Sequence, residues 1–190
     1  MFGGMGANGN VLQDTWEIES TLSGFCWGQP IAPGSVPAAR QGASMTYELE
    51  GGPAQLVLFG GVSAGPYSPP MADTCYFAGF VAGSVTSGSW TQCSSLVGPA
   101  ARWGAVMSWT GEGVILFGGT DTSTSPPNMF AQTWLLQGAA WIQLSPQASP
   151  PALLGACGGF SGQTMVLFGG YNPLLSYPQV QDQEWVWSWS

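Results

Sequence analysis

The sequence contains no lysine and no histidine, and Arg40 and Arg102 are its only basic side chains. Only 6% of the 190 residues are charged, and the formal net charge is −8. Because duplex nucleic acid is bound through a basic surface that displaces counterions, we exclude nucleic acid as a partner. Because histidine is missing, imidazole-ligated metals and Ser-His-Asp or Cys-His catalysis are excluded as well.

Long apolar segments are also missing, although 45% of the residues are hydrophobic and 13% are aromatic. Residues 122–181 carry no charge, yet Gly, Pro, Gln and Ser interrupt every apolar run in this stretch. No run reaches the roughly 18 residues of a membrane helix. The first ten residues lack the basic and apolar regions of a signal peptide. We therefore expect a folded domain with no membrane span, no cofactor and no metal.

Four cysteines are present, and none has the Cys-x-x-Cys spacing of a zinc ribbon. Cys75 and Cys93 flank a predicted hairpin centred near residue 84, which places them opposite each other as a candidate disulfide. For Cys26 and Cys157, both buried free thiols and a bond between copies remain open. The cysteines, the few charges and the loops rich in Ser, Thr and Gly favour an extracellular or cell-surface location.

The chain repeats a motif in which an apolar run ends in Phe-Gly-Gly. The glycine doublets are Gly3-Gly4, in a truncated copy, and Gly60-Gly61, Gly118-Gly119 and Gly169-Gly170 in full copies. Aromatic residues follow in a constant order, first Trp16, Tyr76, Trp134 and Trp185, and then Trp27, Trp90 and Trp141. Pro-Ala-Ala-Arg precedes two full copies and ends at Arg40 and Arg102, whereas the third copy reads Pro151-Ala152-Leu153-Leu154 and has no arginine.

The composition of the repeats favours β-strands. The apolar runs are four to six residues long, rich in Val, Ile, Leu and Phe, and bounded by glycine. Such runs are typical of strands that are buried on both faces. Glycine pairs after a strand permit a positive φ and a close approach of neighbouring backbone.

This order of a Pro-x-x-Arg motif, an apolar strand ending in Gly-Gly, a strand with an aromatic residue and a strand with Trp resembles the kelch repeat. The resemblance covers nearly the whole chain and implies four-stranded antiparallel β-propeller blades arranged radially. Two departures stand out, since the third Pro-x-x-Arg motif has lost its arginine and the chain is too short for the usual number of blades. The histidine-ligated copper of one kelch enzyme cannot be carried over, and we expect no enzymatic activity.

The resemblance implies one domain over residues 1–190, with blade A at 1–30, blade B at 40–94, blade C at 102–145 and blade D at 153–190. Blade A then lacks its inner strand and blade D its outer strand. The last strand places Trp185, Trp187 and Trp189 on one face beside an unpaired edge, which is a template for association. Three readings are open: a piece of a longer propeller, an irregular four-bladed ring, or completion by other copies as an oligomer or filament.

From these features we expect a non-catalytic structural subunit that self-associates through its incomplete terminal blades. The alternative is a module that binds a glycan or a surface protein. Its binding face would be built by the long loops 62–72, 120–130 and 171–182 and the connections 30–41, 95–102 and 146–153. The candidate ligand residues on that face are Tyr67, Asn128, Tyr171 and Asn172.

The few charged residues are interpreted as structural. We expect Arg40 and Arg102 to form ion pairs or carbonyl clamps between blades, with Asp14 and Asp73 as candidate partners; an anion-binding arginine pair is the alternative. Carboxylates two residues apart share one side of a strand. Such pairs, Glu17 with Glu19 and Glu48 with Glu50, are expected to be solvated strand edges, and a glycosidase pair or a calcium site is the alternative.

Overall fold

The computed structural model describes residues 1–21, 24–29, 34–49, 54–65, 67–79, 88–91, 93–162, 164–176 and 179–188. All regular structure in these ranges consists of β-strands and bridges, which confirms the predicted all-β class. Among the described residues no helix has the length and apolar character needed to cross a membrane.

The strands form four successive layers. Layer A contains β1 (Phe2–Met5), β2 (Val11–Thr15), β3 (Glu17–Thr21) and β4 (Gly24–Gly28). Layer B contains β5 (Ser44–Glu48), β6 (Gln55–Phe59), β7 (Thr74–Ala78) and β8 (Ser89–Trp90). Layer C contains β9 (Val106–Trp109), β10 (Val114–Phe117), a separate hairpin of β11 (Thr120–Asp121) and β12 (Asn128–Met129), then β13 (Thr133–Gln137) and β14 (Ala140–Leu144). Layer D contains β15 (Cys157–Phe160), β16 (Thr164–Phe168) and β17 (Glu184–Ser188).

Within layers B, C and D the strands pair antiparallel in chain order, leaving the β11–β12 hairpin aside. In layer A, β1 pairs with β2 and β3 pairs with β4, and the chain runs from β2 into β3 through Trp16. The 120–130 loop was predicted without regular structure and instead contains β11 and β12. The Thr120 hydroxyl donates to the carbonyl of Asn128, which adds a side-chain bond to this short pairing.

Apolar residues join the layers face to face. Phe2 of layer A packs with Leu58 and Phe77 of layer B, whereas Val57 and Phe59 lie in the cluster that joins layer B to layer C. A third cluster joins layer C to layer D. Alternate residues of one strand therefore pack against different layers, and this explains why the Phe-Gly-Gly runs are apolar without interruption.

The second glycine of each doublet carries a backbone bond between layers. The N–H groups of Gly4, Gly61 and Gly119 donate to the carbonyls of Arg40, Arg102 and Leu153, at 2.8, 3.0 and 2.8 Å. Each acceptor lies ahead of the first strand of the next layer.

The first glycine of the doublet permits this approach. Gly118 has a φ of +75°, and a Cβ at this position would lie 2.6 Å from the carbonyl oxygen of Leu153. A side chain here would be strained by its φ and would also push against backbone that belongs to the next layer.

We predict that Gly118→Ala lowers the free energy of unfolding by roughly 3 kcal/mol or more, because it combines a left-handed φ with an inter-layer clash. The matched control is Gly111→Ala, where φ is +89° but no atom lies within 4 Å of the new Cβ. The control is expected to cost roughly 1–2 kcal/mol. Equal losses in chemical denaturation of the two variants would contradict the role of close layer contact.

The predicted disulfide between Cys75 and Cys93 is confirmed. It joins β7 to the segment after β8, where Thr74 and Ser94 form an additional bridge. The two cysteines are 18 residues apart in sequence. The bond therefore constrains a loop of intermediate length in the unfolded chain.

Reduction of this disulfide is expected to lower the free energy of unfolding by roughly 3 kcal/mol, since it releases the entropy of that closed loop. The measurement compares denaturant unfolding of oxidised and reduced protein in a Cys26→Ser, Cys157→Ser background, which removes the free thiols. An unchanged midpoint after complete reduction would show that the bond adds nothing to stability.

Candidate functional site

Arg40 is buried and is bonded inside the chain. Its guanidinium donates to both carboxylate oxygens of Asp73, at 2.7 and 2.8 Å, and to the carbonyl of Gly60 at 2.9 Å. Its Nε donates to the carbonyl of Ala38. The backbone carbonyl of the same residue accepts from Gly4 of layer A. One residue thus bonds to two layers, through its main chain and through its side chain.

Arg102 repeats this arrangement with a different partner. It donates to the carbonyls of Ala100 and Gly118 and to Oε1 of Gln132, and its guanidinium stacks 3.9 Å from the centre of the Phe130 ring. Burial lowers the pKa of Arg102 to about 10, so the group is still protonated at neutral pH. Both arginines are 1% exposed, which leaves neither guanidinium open to a solvent anion.

In the third copy the structural equivalent of the arginine is Leu153, one residue before the end of the Pro151–Leu154 motif, because its carbonyl accepts from Gly119. Leu153 is buried in the cluster between layers C and D. Asn172 lies near this point and is also buried, at 5% exposure. Its Nδ2 donates to the carbonyl of Ala152, and its Oδ1 accepts from the N–H of Leu174. The side chain of Asn172 therefore stabilises the loop from inside and is not presented to a ligand.

The other three candidate ligand residues are more accessible. Tyr67 is 82% exposed, Asn128 is exposed, and Tyr171 is 38% exposed with its hydroxyl 3.4 Å from Oε1 of Gln179. They lie on three different loops, and their role as one ligand face stays a prediction.

Neither predicted carboxylate pair lies wholly within the described residues, and the interpretation of Glu48 as a solvated strand edge is wrong, because its side chain is 2% exposed. Glu48 is buried and accepts from Nε2 of Gln55, whereas Glu50 and the side chain of Glu19 lie outside the described residues. Asp73 lies close to the sulfur atoms of Cys75 and Cys93. These sulfurs form the disulfide and Asp73 binds Arg40, so the cluster has no ligand left for a metal.

Two tryptophans on outer strands close the interfaces between layers. Trp90 of β8 meets the Phe2 ring edge-on at 4.9 Å and donates its indole N–H to the Thr15 hydroxyl at 2.9 Å.

Trp141 of β14 meets Phe59 at 5.4 Å and donates to the Thr74 hydroxyl at 3.1 Å. In both interfaces the tryptophan belongs to the later layer, whereas the Phe and Thr belong to the preceding one.

In layer A, the tryptophan equivalent to Trp90 and Trp141 is exposed to solvent. Trp27 is 58% exposed on β4, and it pairs across the hairpin with Ile18, which is also exposed. Trp141 pairs in the same way with Leu136 in layer C. The β3–β4 hairpin of layer A therefore carries a pair of apolar residues equivalent to that on the surface of layer C that packs on layer B.

In layer D, the phenylalanine equivalent to Phe2 and Phe59 is exposed to solvent. Phe168 is 55% exposed and pairs with Glu184, as Phe59 pairs with Thr74 in layer B. Val186, one alternation further along β17, is exposed on the same face. One end of the stack thus exposes the tryptophan of this Trp–Phe contact, and the other end exposes the phenylalanine. The two exposed residues are complementary.

The tryptophans of the last strand lie on its other face. Trp185 and Trp187 are half-buried and pack against the cluster that joins layers C and D, and Trp189 lies outside the described residues. Among the described strands β17 pairs only with β16. The sequence correctly predicts that the second edge of β17 is unpaired among these strands. The exposed apolar face beside this edge is formed by Phe168 and Val186, not by the tryptophans.

Cys26 and Cys157 are free and exposed, on layers A and D. The interpretation as buried thiols is therefore wrong for both, and a bond between copies stays a prediction.

No protein-family model matches the sequence, and no match is found among the curated proteins. Among solved structures, that of YjhT is similar, with a TM-score of 0.63 and 8% sequence identity over 92% of this chain and 49% of the YjhT chain. The chain thus spans about half of the length of that structure, and the similarity concerns the fold alone.

We predict that Arg40→Leu, which introduces the residue found at position 153, lowers the free energy of unfolding by roughly 3 kcal/mol. The substitution leaves the Asp73 carboxylate and the Gly60 carbonyl without their donor. In an Asp73→Asn background the further loss is expected to be smaller, and denaturant unfolding of the four-member double-mutant cycle measures this coupling. A cycle without coupling would show that the ion pair does not hold the layer.

Proposed function

We propose that the chain is a non-catalytic, extracellular structural subunit of the kelch-propeller type that self-associates end to end through layers A and D. In this proposal layers A to D are propeller blades, and each end layer is covered by the opposite end of another copy. Three features support the blade assignment: antiparallel strands in chain order, layers that stack face to face, and glycine–arginine contacts that recur between them. The disulfide between Cys75 and Cys93 supports an oxidising location.

The observation that carries the proposal is the complementarity of the two end faces. Between layers A and B and between layers B and C, a tryptophan of the later layer covers a phenylalanine of the earlier one. Trp27 and Phe168 lie at the two ends of the stack and have no such partner in the described chain. Stacking layer A of one copy on layer D of another brings them together and directs the indole N–H of Trp27 toward the carboxylate of Glu184. An ionised acceptor at this position strengthens the bond relative to the Thr hydroxyls used inside the chain.

The composition of the end faces suits this association. Ile18, Trp27, Phe168 and Val186 are each more than half exposed. Their burial gains hydrophobic free energy of roughly 25 cal/mol per Å², and the aromatic pair adds about 0.5–1.5 kcal/mol. Both copies carry a net charge of −8, so screening by salt is expected to favour association.

The proposed contact is heterologous, because different surfaces of the two copies meet. Such a contact repeats from copy to copy and gives a ring if the rotation closes and a filament if it does not. The chain covers about half of the YjhT structure, which agrees with more than one copy being needed to complete a structure of that size.

The test is sedimentation of the wild-type chain and two end variants. We expect wild-type protein to associate with rising concentration, and Trp27→Ala and Phe168→Ala each to weaken association at least about 10-fold, since each removes one half of the aromatic contact. Tyr67→Ala, which removes a highly exposed aromatic residue from the loop between β6 and β7 of layer B, is the control and should leave association unchanged.

Mixing the two end variants tests the heterologous geometry. Trp27→Ala retains a complete layer D and Phe168→Ala a complete layer A, so their mixture is expected to form dimers and nothing longer. A wild-type chain that stays monomeric up to its solubility limit would contradict the proposal. A mixture that associates no better than either variant alone would show that like surfaces meet.

A further inference from the structure

A cavity opens between layers C and D beside the free edge of β17. Phe117, Thr133, Met165, Leu167 and Trp187 are among the residues that line it. None of the described residues that line the cavity is charged, and Thr133 contributes its hydroxyl group. The cavity therefore suits an apolar group that carries at most one hydrogen-bond donor.

At the equivalent position in the two other interfaces of the chain, a tryptophan indole fills the space. The pairing of Phe117 with Thr133 repeats that of Phe59 with Thr74, which receives the indole of Trp141. The pair of Phe2 with Thr15 receives the indole of Trp90 in the same way.

The strand edge next to the cavity is also equivalent. Trp90 and Trp141 reach their positions on β8 and β14, which pair with the third strands of layers B and C. In layer D the third strand is β17, and within the described ranges its outer edge is unpaired. A strand added there would direct alternate side chains toward layer C, so one of them would enter the cavity.

The chemistry of the cavity selects tryptophan among the aromatic residues. The Phe117 ring lines the cavity, and an indole can pack edge-on against it as in the two equivalent interfaces. Thr133 is nearly buried, and it has the strand register of Thr15 and Thr74, whose hydroxyls accept an indole N–H. Phenylalanine fills the same space but has no donor for it.

We infer that this cavity is a binding site for the indole of a tryptophan carried by an extended segment of a partner polypeptide, which adds to layer D as a fourth strand. This indole pocket, lined by Phe117, Thr133, Met165, Leu167 and Trp187, shares Val186 with the end face proposed for self-association but does not include Phe168. Phe168 lies on the opposite face of layer D, where the proposed function places Trp27 of another copy. The pocket therefore goes beyond the proposed function, and its occupant is a separate polypeptide segment.

The probe is a fluorescently labelled peptide with the sequence of residues 138–146, which includes β14 and Trp141. Anisotropy titration with the full wild-type chain is expected to show saturable binding. A peptide with Trp replaced by Ala should bind at least about 10-fold more weakly, because it lacks the indole. A peptide with Phe at this position should lose about three- to ten-fold, which corresponds to one hydrogen bond.

Two chain variants locate the site. Thr133→Val, which keeps the volume of the side chain, should lower the affinity for the Trp peptide to that of the Phe peptide and leave Phe peptide binding unchanged. Phe168→Ala should weaken self-association and leave peptide binding intact, so that failure of the pocket and failure of the end-to-end contact are separable.

Three results would overturn the assignment. One is the absence of saturable peptide binding to the wild-type chain, which needs no variant to fold. Another is equal binding of the Trp and Ala peptides. The third is peptide binding to the Trp27→Ala chain but not to the wild-type chain. This result would show that β4 of another copy occupies the pocket in the wild-type protein.

Discussion

The structure depends on a close backbone contact between successive layers. A glycine N–H at the end of one apolar strand donates to the carbonyl of the residue that introduces the next layer, at 2.8–3.0 Å in three interfaces. The contact excludes a Cβ at the preceding glycine, as Gly118 shows. In two of the interfaces the residue that accepts this bond is an arginine whose side chain clamps its own layer. The glycine doublets and the arginines therefore act together to hold successive layers in close contact.

Close stacking requires each layer to be apolar on both faces. The inner layers meet this requirement with a neighbour on each side, as the division of Val57 and Leu58 between two clusters illustrates. The outer layers meet it on one side only, so that Trp27 and Phe168 are exposed. Lysine and histidine are missing, and charges are few on the strands. The same composition that makes the stack stable thus leaves apolar side chains exposed at its two ends, and these carry the proposed association.

Much of the fold was predictable because the repeats are local patterns. The strands and the disulfide between Cys75 and Cys93 follow from spacing and residue type. The Arg40 ion pair was also predictable, but its side chain bonds within layer B and not between layers as expected. The β11–β12 hairpin was missed because its strands are two residues long and show no apolar alternation. The burial of Asn172 and the inward position of Trp185 were not predictable, since both depend on which face of layer D meets layer C. The indole pocket could be found only by comparing the register of three layers.

The central claim, that complementary end faces join copies of the chain, is tested most directly by electron cryomicroscopy of the assembled protein. The account predicts that layer A of each copy lies on layer D of the next, with the Trp27 and Phe168 rings about 5 Å apart as in the internal pairs. Copies that meet through identical surfaces, or particles in which both rings face solvent, would contradict it.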